Sequence, residues 1–572
     1  MKRLILLCLI TAIRVTSAAE IKISSAEKFI SGPEKNRITV VVFSINDFHS
    51  AVVPDGEKGI AGAACLVSTL DSLKRVYPYH VTVSAGDNFG GSYFYQATRG
   101  ALMPQLLRDM DIRVSAIGNH EFDEGQERLA AKWNDVELRP RSWDLTYVCA
   151  NVRYANGEIP AFAQPFQVVD VPYSDTGKVS VAFVGLITSS TPQQASRRRL
   201  AGLHFDGNYA RVLDSLARTP AYEAVRQADV RVLLTHIGTG MQDGHPVWQD
   251  PDAESLSRID SPDWHGILTS HMHNAVCGRI NRRNYPVVQG LWHGHYISLL
   301  KVEVDTLTRQ VTAVEPELVE VKPGQPASPR ARRLQAQVDE LLSTCTVQGG
   351  MPLGEQLTQA VADLPHDRTH KYVLSEVGDL VCTAYAEAYR RATGCPPAEV
   401  VVGASHIGSI RAGIGRGGVS VLDVGETLPF ANNLRTYRLT GRQLQELVEY
   451  GLHNVSYGWL QTSGLEIVCD DARSLHVRQL YYLQPDGQRR RIGPKDQCIL
   501  VVDDYITTGG DGYLPEQFPD SQAVDIQLPV TTAAFIDYLK RQPTIGGHPE
   551  LVRRLRVGKD APVSTVAPTV EP

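Results

Sequence analysis

The chain has 572 residues, 43% hydrophobic and 21% charged, a globular composition with enough apolar residues for two or more cores, and this excludes disorder on a large scale. A formal net charge of -6 and a pI near 6.3 offer no basic face, so duplex nucleic acid is excluded as a partner and the cluster RRRL at 197–200 reads as a solvated patch. The opening residues MKRLILLCLITAIRVTSAAE combine a basic start, an apolar stretch and small residues at Ser17, Ala18 and Ala19. They predict a secretory signal over 1–19 and a secreted protein, extracellular or, in a bacterium, periplasmic. No later stretch approaches the ~18 apolar residues of a membrane span. Residues 557–572 form a polar, Pro-rich tail with no lipid-anchor signal.

From 37 to 321, the apolar runs ITVVVFSI, HVTVSAG, RVSAIG, VSVAFVGLI, VRVLLTHI and HGILTSH alternate with helical stretches. Short strands apolar on both sides, separated by helices, predict an α/β arrangement with a sheet covered on both faces. Ligands in such sheets gather at the C-terminal ends of the strands. Residues 322–360 begin with PGQPASP and continue into RARRLQAQVDELLST, a Pro-rich linker and one amphipathic helix. A second α/β unit is expected from 361 to 556, opening on the helix SEVGDLVCTAYAEAYRRA and containing the strands AEVVVGA, LRTYRLTG, LEIVCD and QCILVVDDY.

Without Cys8 in the signal, cysteines remain at 65, 149, 277, 345, 382, 395, 469 and 498, an even number for an oxidising compartment. Disulfides are expected, with Cys382–Cys395 and Cys469–Cys498 as local candidates and buried free thiols as the alternative. Asn454-Val-Ser456 is a sequon for a eukaryotic secretory pathway.

The polar residues at the predicted strand ends of the first unit are Asp47 and His49 in INDFHS, Asp87 in SAGDN, and Asn119 with His120 in IGNHEFDEG. Further on come His236 in LLTHIG and His271 with His273 in LTSHMHN. Any one of them alone reads as a turn or a hydrogen-bonded structural residue. Seven ligand types besides His120, on five strand ends, exceed what turns explain. Two divalent ions take about four protein ligands each with one shared carboxylate, and mixed carboxylate, amide and imidazole donors suit Zn, Mn, Fe or Co. Asp87, alone on a middle strand, is the natural bridge. His293 and His295 in LWHGHY, like His245 and His265, are set aside as surface or core histidines because the ligand count is already filled.

In this order, D-x-H, G-D-N, G-N-H-E, a lone H and H-x-H resemble the calcineurin-like metallophosphoesterases. GNHEFDEG and CANV at 149–152 resemble, more narrowly, the 5′-nucleotidase family. The resemblance covers nearly the whole chain after the signal. It implies an N-terminal four-layer α/β/β/α metallophosphoesterase sandwich and a C-terminal α/β nucleotide-binding domain. It also implies a catalytic dyad of His120 and Asp123. Two divalent ions, with Zn, Mn or Co expected, would be held by Asp47, His49, Asp87 and His273 and by Asp87, Asn119, His236 and His271. Ser270 stands where the family has Gly.

For the second unit the resemblance points to GASHIGSIRAGI, ETLPFANNL and VVDDYITTGGDGY. Gly408 and Arg411 match N-x-G-G-I-R, with His406 in place of Asn and Ser409 in place of Gly. Phe430 and Tyr505 fall on the base-stacking aromatics, and Asp511 on the ribose ligand. Two aromatic faces can sandwich a base at about 1–3 kcal/mol per stack, and a carboxylate accepts two hydroxyl protons. Read without the resemblance, Phe430 and Tyr505 are core aromatics and GGDG a tight turn. A second arginine found in some members has no clear match, with Lys371 or Arg368 as substitutes. The expected activity is hydrolysis of nucleoside 5′-monophosphates. The alternatives are an apyrase or nucleotide-sugar hydrolase on the same residues, and a nucleotide-binding protein without turnover.

Overall fold

The structure is a computed structural model describing residues 36–562 except 57, 128, 130–144, 196–198, 251–252, 260–263, 348–349, 367–373, 431, 456–457, 471–473, 485–487, 548–554 and 558–560. The signal at 1–19, most of the tail, Arg368 and Lys371 lie outside the described residues.

Two six-stranded sheets build the first unit. One runs in the order Val311–Glu320, Tyr296–Asp305, Arg37–Ile45, His80–Ser84, Ile112–Ala116, Thr146–Val148, its last four strands parallel and the 296–320 hairpin antiparallel at the other edge. The other runs Ala275–Ile280, Tyr285–Gly290, Gly266–Leu268, Val230–His236, Lys178–Ile187, Phe166–Pro172, with its four middle strands parallel.

Side chains alternate between the two faces of a strand, and here each face meets a different layer. Val40 and Val42 pack with Phe183, Val232 and Leu234 between the sheets. Val41, Phe43 and Ile45 pack with Leu66, Leu70 and Leu73 of the helix Ala63–Val76. On the far side, Ala182, Val184 and Leu233 pack with Leu213 and Leu216 of the helix Tyr209–Ala217. The result is an α/β/β/α sandwich. This is the four-layer sandwich that the resemblance implied, and the apolar runs are covered on both faces as expected, each sheet by helices on one side and by its companion sheet on the other.

The helix Pro329–Thr344 lays Leu334 and Val338 into the core of this first unit. Beyond it, the strand Gln356–Ala360 pairs with Gly417–Ser420. A four-stranded sheet in the order Leu434–Thr440, Gln497–Asp503, Val400–Ser405, Gln461–Thr462 follows, packed by the helix Glu376–Thr393. That helix starts where Ser375 accepts the Gly378 N–H, and it ends on Gly394 at φ 64, with Arg390 and Arg391 in its last turn. A five-stranded sheet contains Leu465–Cys469 and Val477–Leu483, against which the helix Gly441–Asn454 packs. The two units touch where the Tyr93 N–H donates to Glu426 Oε1 at 2.7 Å. Beside this contact Gly425 lies so close to the Tyr93 ring that a Cβ would come within 2.0 Å of it.

The expected disulfides do not form among the described residues, where the cysteines from Cys65 to Cys498 are thiols. Cys382 Sγ donates to the Gln461 carbonyl at 3.1 Å, Cys395 faces the Arg390 guanidinium at 3.6 Å, and Cys469 and Cys498 are buried in the core around the five-stranded sheet, with Cys498 Sγ donating to Asp496 O at 3.9 Å. Among the described residues no helix is long and apolar enough to cross a membrane.

Candidate active site

The parallel strands of both sheets end on the same side, and the loops leaving them bring the seven predicted ligands into one cluster. Asp47, His49 and His273 present donor atoms within 4.8 Å of one another, as do His49, Asp87 and His120, and Asp87, His236 and His271. His49 Nε2 lies 3.0 Å from His273 Nε2, His236 Nε2 lies 3.2 Å from Asp87 Oδ2, and Asn119 Oδ1 lies 3.1 Å from His236 Nε2.

Backbone conformation aims these side chains. Asp47, His49, Asp87, His271 and His273 all have positive φ, between 47° and 77°, a region that costs a non-glycine residue roughly 1–2 kcal/mol. Gly118 lets the strand ends converge, since a Cβ there would come within 2.1 Å of Asp87 Oδ1.

Several supporting residues were not assigned from sequence. Glu121, in the GNHE motif, accepts the backbone N–H groups of Asp87, Asn88 and Gly118 at 2.7–2.9 Å and so ties two ligand loops together. Asn46 donates to Asp47 Oδ2 at 2.8 Å and to Leu291 O at 2.6 Å. Ser270 Oγ lies 2.7 Å from Ala85 O and 2.8 Å from His236 Nδ1. His236 Nδ1–H is thereby held on acceptors behind the ring, which turns Nε2 toward Asp87. The departure from Gly at 270 positions a ligand candidate instead of displacing one. Gln194 Nε2 donates to His271 Nε2 at 3.1 Å, and Asp250 Oδ1 stands 3.9 Å from the same nitrogen.

His293 belongs near this cluster as well. Its ring meets His49 edge-on at 5.7 Å, its backbone N–H donates to Asp47 O at 2.8 Å, and its Nδ1 is buried with no partner among the described residues. His295 bonds the carbonyls of Trp292 and Lys58, and His265 Nδ1 accepts the Arg231 N–H; the exposed His245 starts the strand His245–Trp248.

The electrostatics are those of a donor set suited to cations. Burial, joined by the charges of His120, His273 and His236 and opposed by Asp87, takes His49 down to about 3, and burial takes His273 down to about 4, so both imidazoles are neutral, with their Nε2 atoms 3.0 Å apart. Burial raises the Asp47 carboxyl to about 7 against the pull of His236. Burial would also raise Asp87, but His236, His49 and His120 draw it far below the usual carboxylate range. His236 is driven the other way: burial disfavours its charge, yet Asp87 and Asp47 lift it to about 10. The carboxylates thus draw a proton onto Nε2, the position that a divalent cation would take in its place. Crowded neutral imidazoles, buried carboxylates and a histidine with its outer nitrogen already bonded fit divalent cations held among these residues.

His120 and Asp123 stand at the lip. The 3₁₀ turn His120–Phe122 brings His120 Nδ1 to 2.8 Å from Asp123 Oδ2. Burial works against the imidazolium, but the Asp123 hydrogen bond and the charges of Asp87 and Asp123 outweigh it and raise His120 to about 9. Next to Asp123, a hollow of about 710 Å³ is lined by Gly90, Gly91, Arg99, Glu124 and Arg199.

In the second unit Phe430 and Tyr505 are 54% and 44% exposed, so the core reading of these aromatics is excluded. The Arg411 guanidinium lies over the Phe430 ring at 5.7 Å. His406 stacks on Tyr505 at 4.9 Å with 28° between the rings, and its Nδ1 lies 2.5 Å from Asp511 Oδ2 and 3.0 Å from the Gly408 N–H. His406, Tyr505 and Asp511 therefore lie against one another, but His406 Nδ1 accepts the Gly408 N–H, and Asp511 Oδ2 is buried with no hydrogen-bond partner among the described residues.

A family model described as the 5′-nucleotidase C-terminal domain matches residues 357–517. A trifunctional nucleotide phosphoesterase of Bacillus subtilis is 22% identical over 84% of this chain and 32% of its own length, so the chain spans about a third of that relative. An apyrase of Anopheles gambiae is 20% identical over 94% of this chain and 93% of that protein. The crystal structure of a 5′-nucleotidase precursor from Thermus thermophilus shares the fold with a TM-score of 0.59 at 22% identity, over 91% of this chain and all of that one. Residues 357–517 thus carry a 5′-nucleotidase C-terminal domain, and the chain shares its two-unit α/β fold with the Thermus structure.

Proposed function

We propose that the protein is a secreted, metal-dependent 5′-nucleotidase that hydrolyses nucleoside 5′-monophosphates to nucleoside and phosphate. Residues 37–321 carry the chemistry, and the unit that follows the 322–360 linker and helix, 361–556, holds the nucleoside. The observation that carries this reading is the meeting of two groups of side chains at one set of strand ends: a cluster of cation ligands and, touching it, an imidazolium paired with a carboxylate, His120 and Asp123.

Asp47, His49, Asp87 and His273 would hold one divalent ion, and Asp87, Asn119, His236 and His271 the other. Zn, Mn or Co suits these donors. Bound there, such ions supply Lewis acidity toward the phosphoryl oxygens and activate water at neutral pH. His120, kept cationic by Asp123, stabilises negative charge that develops on the phosphoryl group or on the leaving 5′-oxygen. Arg411 pairs with phosphate oxygens, Phe430 and Tyr505 stack the base, and Asp511 accepts the ribose hydroxyls. Asp511 Oδ2, which has no hydrogen-bond partner among the described residues, is left to accept them.

A second reading, hydrolysis of nucleoside di- and triphosphates, is favoured by the Anopheles apyrase relative and by the hollow beside Asp123, whose Arg99 and Arg199 offer room and positive charge to further phosphates. A phosphate-release assay over AMP, ADP, ATP and UDP-glucose separates the two. Chelation should abolish release and Mn, Zn or Co restore it. Asp87→Ala should cost most among the ligands because both ions lose a donor, and full activity in metal-free Asp87→Ala protein would end the two-metal account.

A further inference from the structure

Far along the chain from the strand ends described above, the structure brings together a second set of metal-ligand side chains, Glu449, His453 and His476, with donor atoms within 4.8 Å of one another. Glu449 and His453 are one helical turn apart in the last two turns of Gly441–Asn454 and so share a face. His476 stands just before the strand Val477–Leu483, where the Asp470 N–H donates to its carbonyl at 2.9 Å. No motif announces the three, because 22 residues separate His453 from His476 and the fold alone joins them.

We propose that Glu449, His453 and His476 form a separate site for one divalent cation of the zinc type, with its fourth position open to water.

The geometry supports this in three ways. Zinc bonds of about 2.0–2.2 Å to N and O place tetrahedral ligand atoms roughly 3.4 Å apart. His453 Nε2 already lies 3.4 Å from Glu449 Oε1, and the rings of His453 and His476 are 5.1 Å apart. His476 Nδ1, at 2.5 Å from the same oxygen, has to withdraw by a little under 1 Å, which a side chain 65% exposed can do. Next, the carboxylate is already anchored: Glu449 Oε2 accepts the Val477 N–H at 2.6 Å, and this holds Oε1 between the two imidazoles, as the second-shell contact of a ligand does. Burial would raise this carboxyl, but hydrogen bonds from His476 and Val477 keep it below the usual range, so it is ionised at neutral pH. Finally, the site lies at the C-terminal end of a 14-residue helix, where the backbone dipole favours positive charge.

A bound ion would brace this helix against the 465–483 hairpin. The same helix carries Tyr450, whose hydroxyl donates to Gly512 O at 3.0 Å, next to Asp511.

The full-length protein, loaded with zinc chloride and then gel-filtered, is expected to carry one more equivalent of zinc than the His453→Ala, His476→Asn double variant. Its unfolding midpoint should also rise further on adding zinc than the variant's. Equal metal content with equal midpoint shifts overturns the site. The comparison is a difference, so it holds whatever number of ions is bound at Asp87. Should the double variant fail to fold, His476→Asn alone, at the most exposed of the three positions, decides by the same two measurements.

Discussion

At the scale of single residues, the division of labour in the cluster is set by what stands behind each imidazole. His120 has Asp123 behind it and is lifted to about 9, so it holds its proton across the neutral range and is lost as an acid only when the pH climbs past that value. His120→Ala should lower kcat by ~10²–10⁴ and leave the metal content unchanged. Loss of metal in that variant would make His120 a ligand and displace the assignment. His236 has Ser270 and Ala85 O behind it instead, which fixes the ring's outer nitrogen as the donor. Ser270→Ala should weaken metal retention by roughly 10–100-fold, the usual effect of removing such a support, with far less change in the metal-saturated kcat. Titration of retained metal against a chelator gives the comparison, and unchanged retention would reduce Ser270 to a packing residue.

At the scale of elements, the site depends on strand ends that approach closer than side chains normally allow. A Cβ on Gly118 would come within 2.1 Å of Asp87 Oδ1 and 2.7 Å of the Asp87 backbone nitrogen, and that nitrogen is also held by Glu121. Gly118→Ala should therefore push the Asp87 loop off its position, lowering metal content and the unfolding midpoint together. A variant with full metal content would show that the loop absorbs the methyl group. The same elements show what could be read in the sequence. Asp47, Asp87, Asn119 and His236 were legible because each follows an apolar run that ends abruptly in a polar residue. The pairing of two sheets entered only through the resemblance, since a strand buried on both faces has the same composition whether it meets helices or another sheet. Ser270, Glu121 and Asp250 support ligands through contacts up to 185 residues away, and no local spacing announces them. His293 was set aside on a count of ligands, and only the fold shows it against His49. The cysteines were read from their compartment and their even number, whereas their neighbours here are a carbonyl, a guanidinium and apolar core.

At the scale of the whole molecule, the proposed chemistry and the proposed nucleoside contacts lie in different units, connected through the helix Tyr93–Thr98, which docks on Val421–Thr427 by the Tyr93–Glu426 contact. Phe430→Ala with Tyr505→Ala should cut kcat/KM for AMP by a few kcal/mol, at ~1–3 per face and without strict additivity. Hydrolysis of a small aryl phosphate should stay close to normal, because that substrate has no base to stack. Equal losses on both substrates would mean that the aromatics support docking of the units, and the nucleoside pocket would have to be sought elsewhere.

The pairing of Arg37 with Asp305 puts the first strand of one sheet beside a strand made more than 250 residues later. Made at about 5–20 residues per second, the chain takes roughly 15–50 s to travel from one to the other. Throughout that interval the strand leading into Asp47 and His49 has an open edge, the kind of surface on which unrelated chains can pair. The loop carrying His271 and His273 emerges only shortly before the strand Tyr296–Asp305 that covers the edge, so the pocket and its protection against misassembly are completed almost together, late in synthesis.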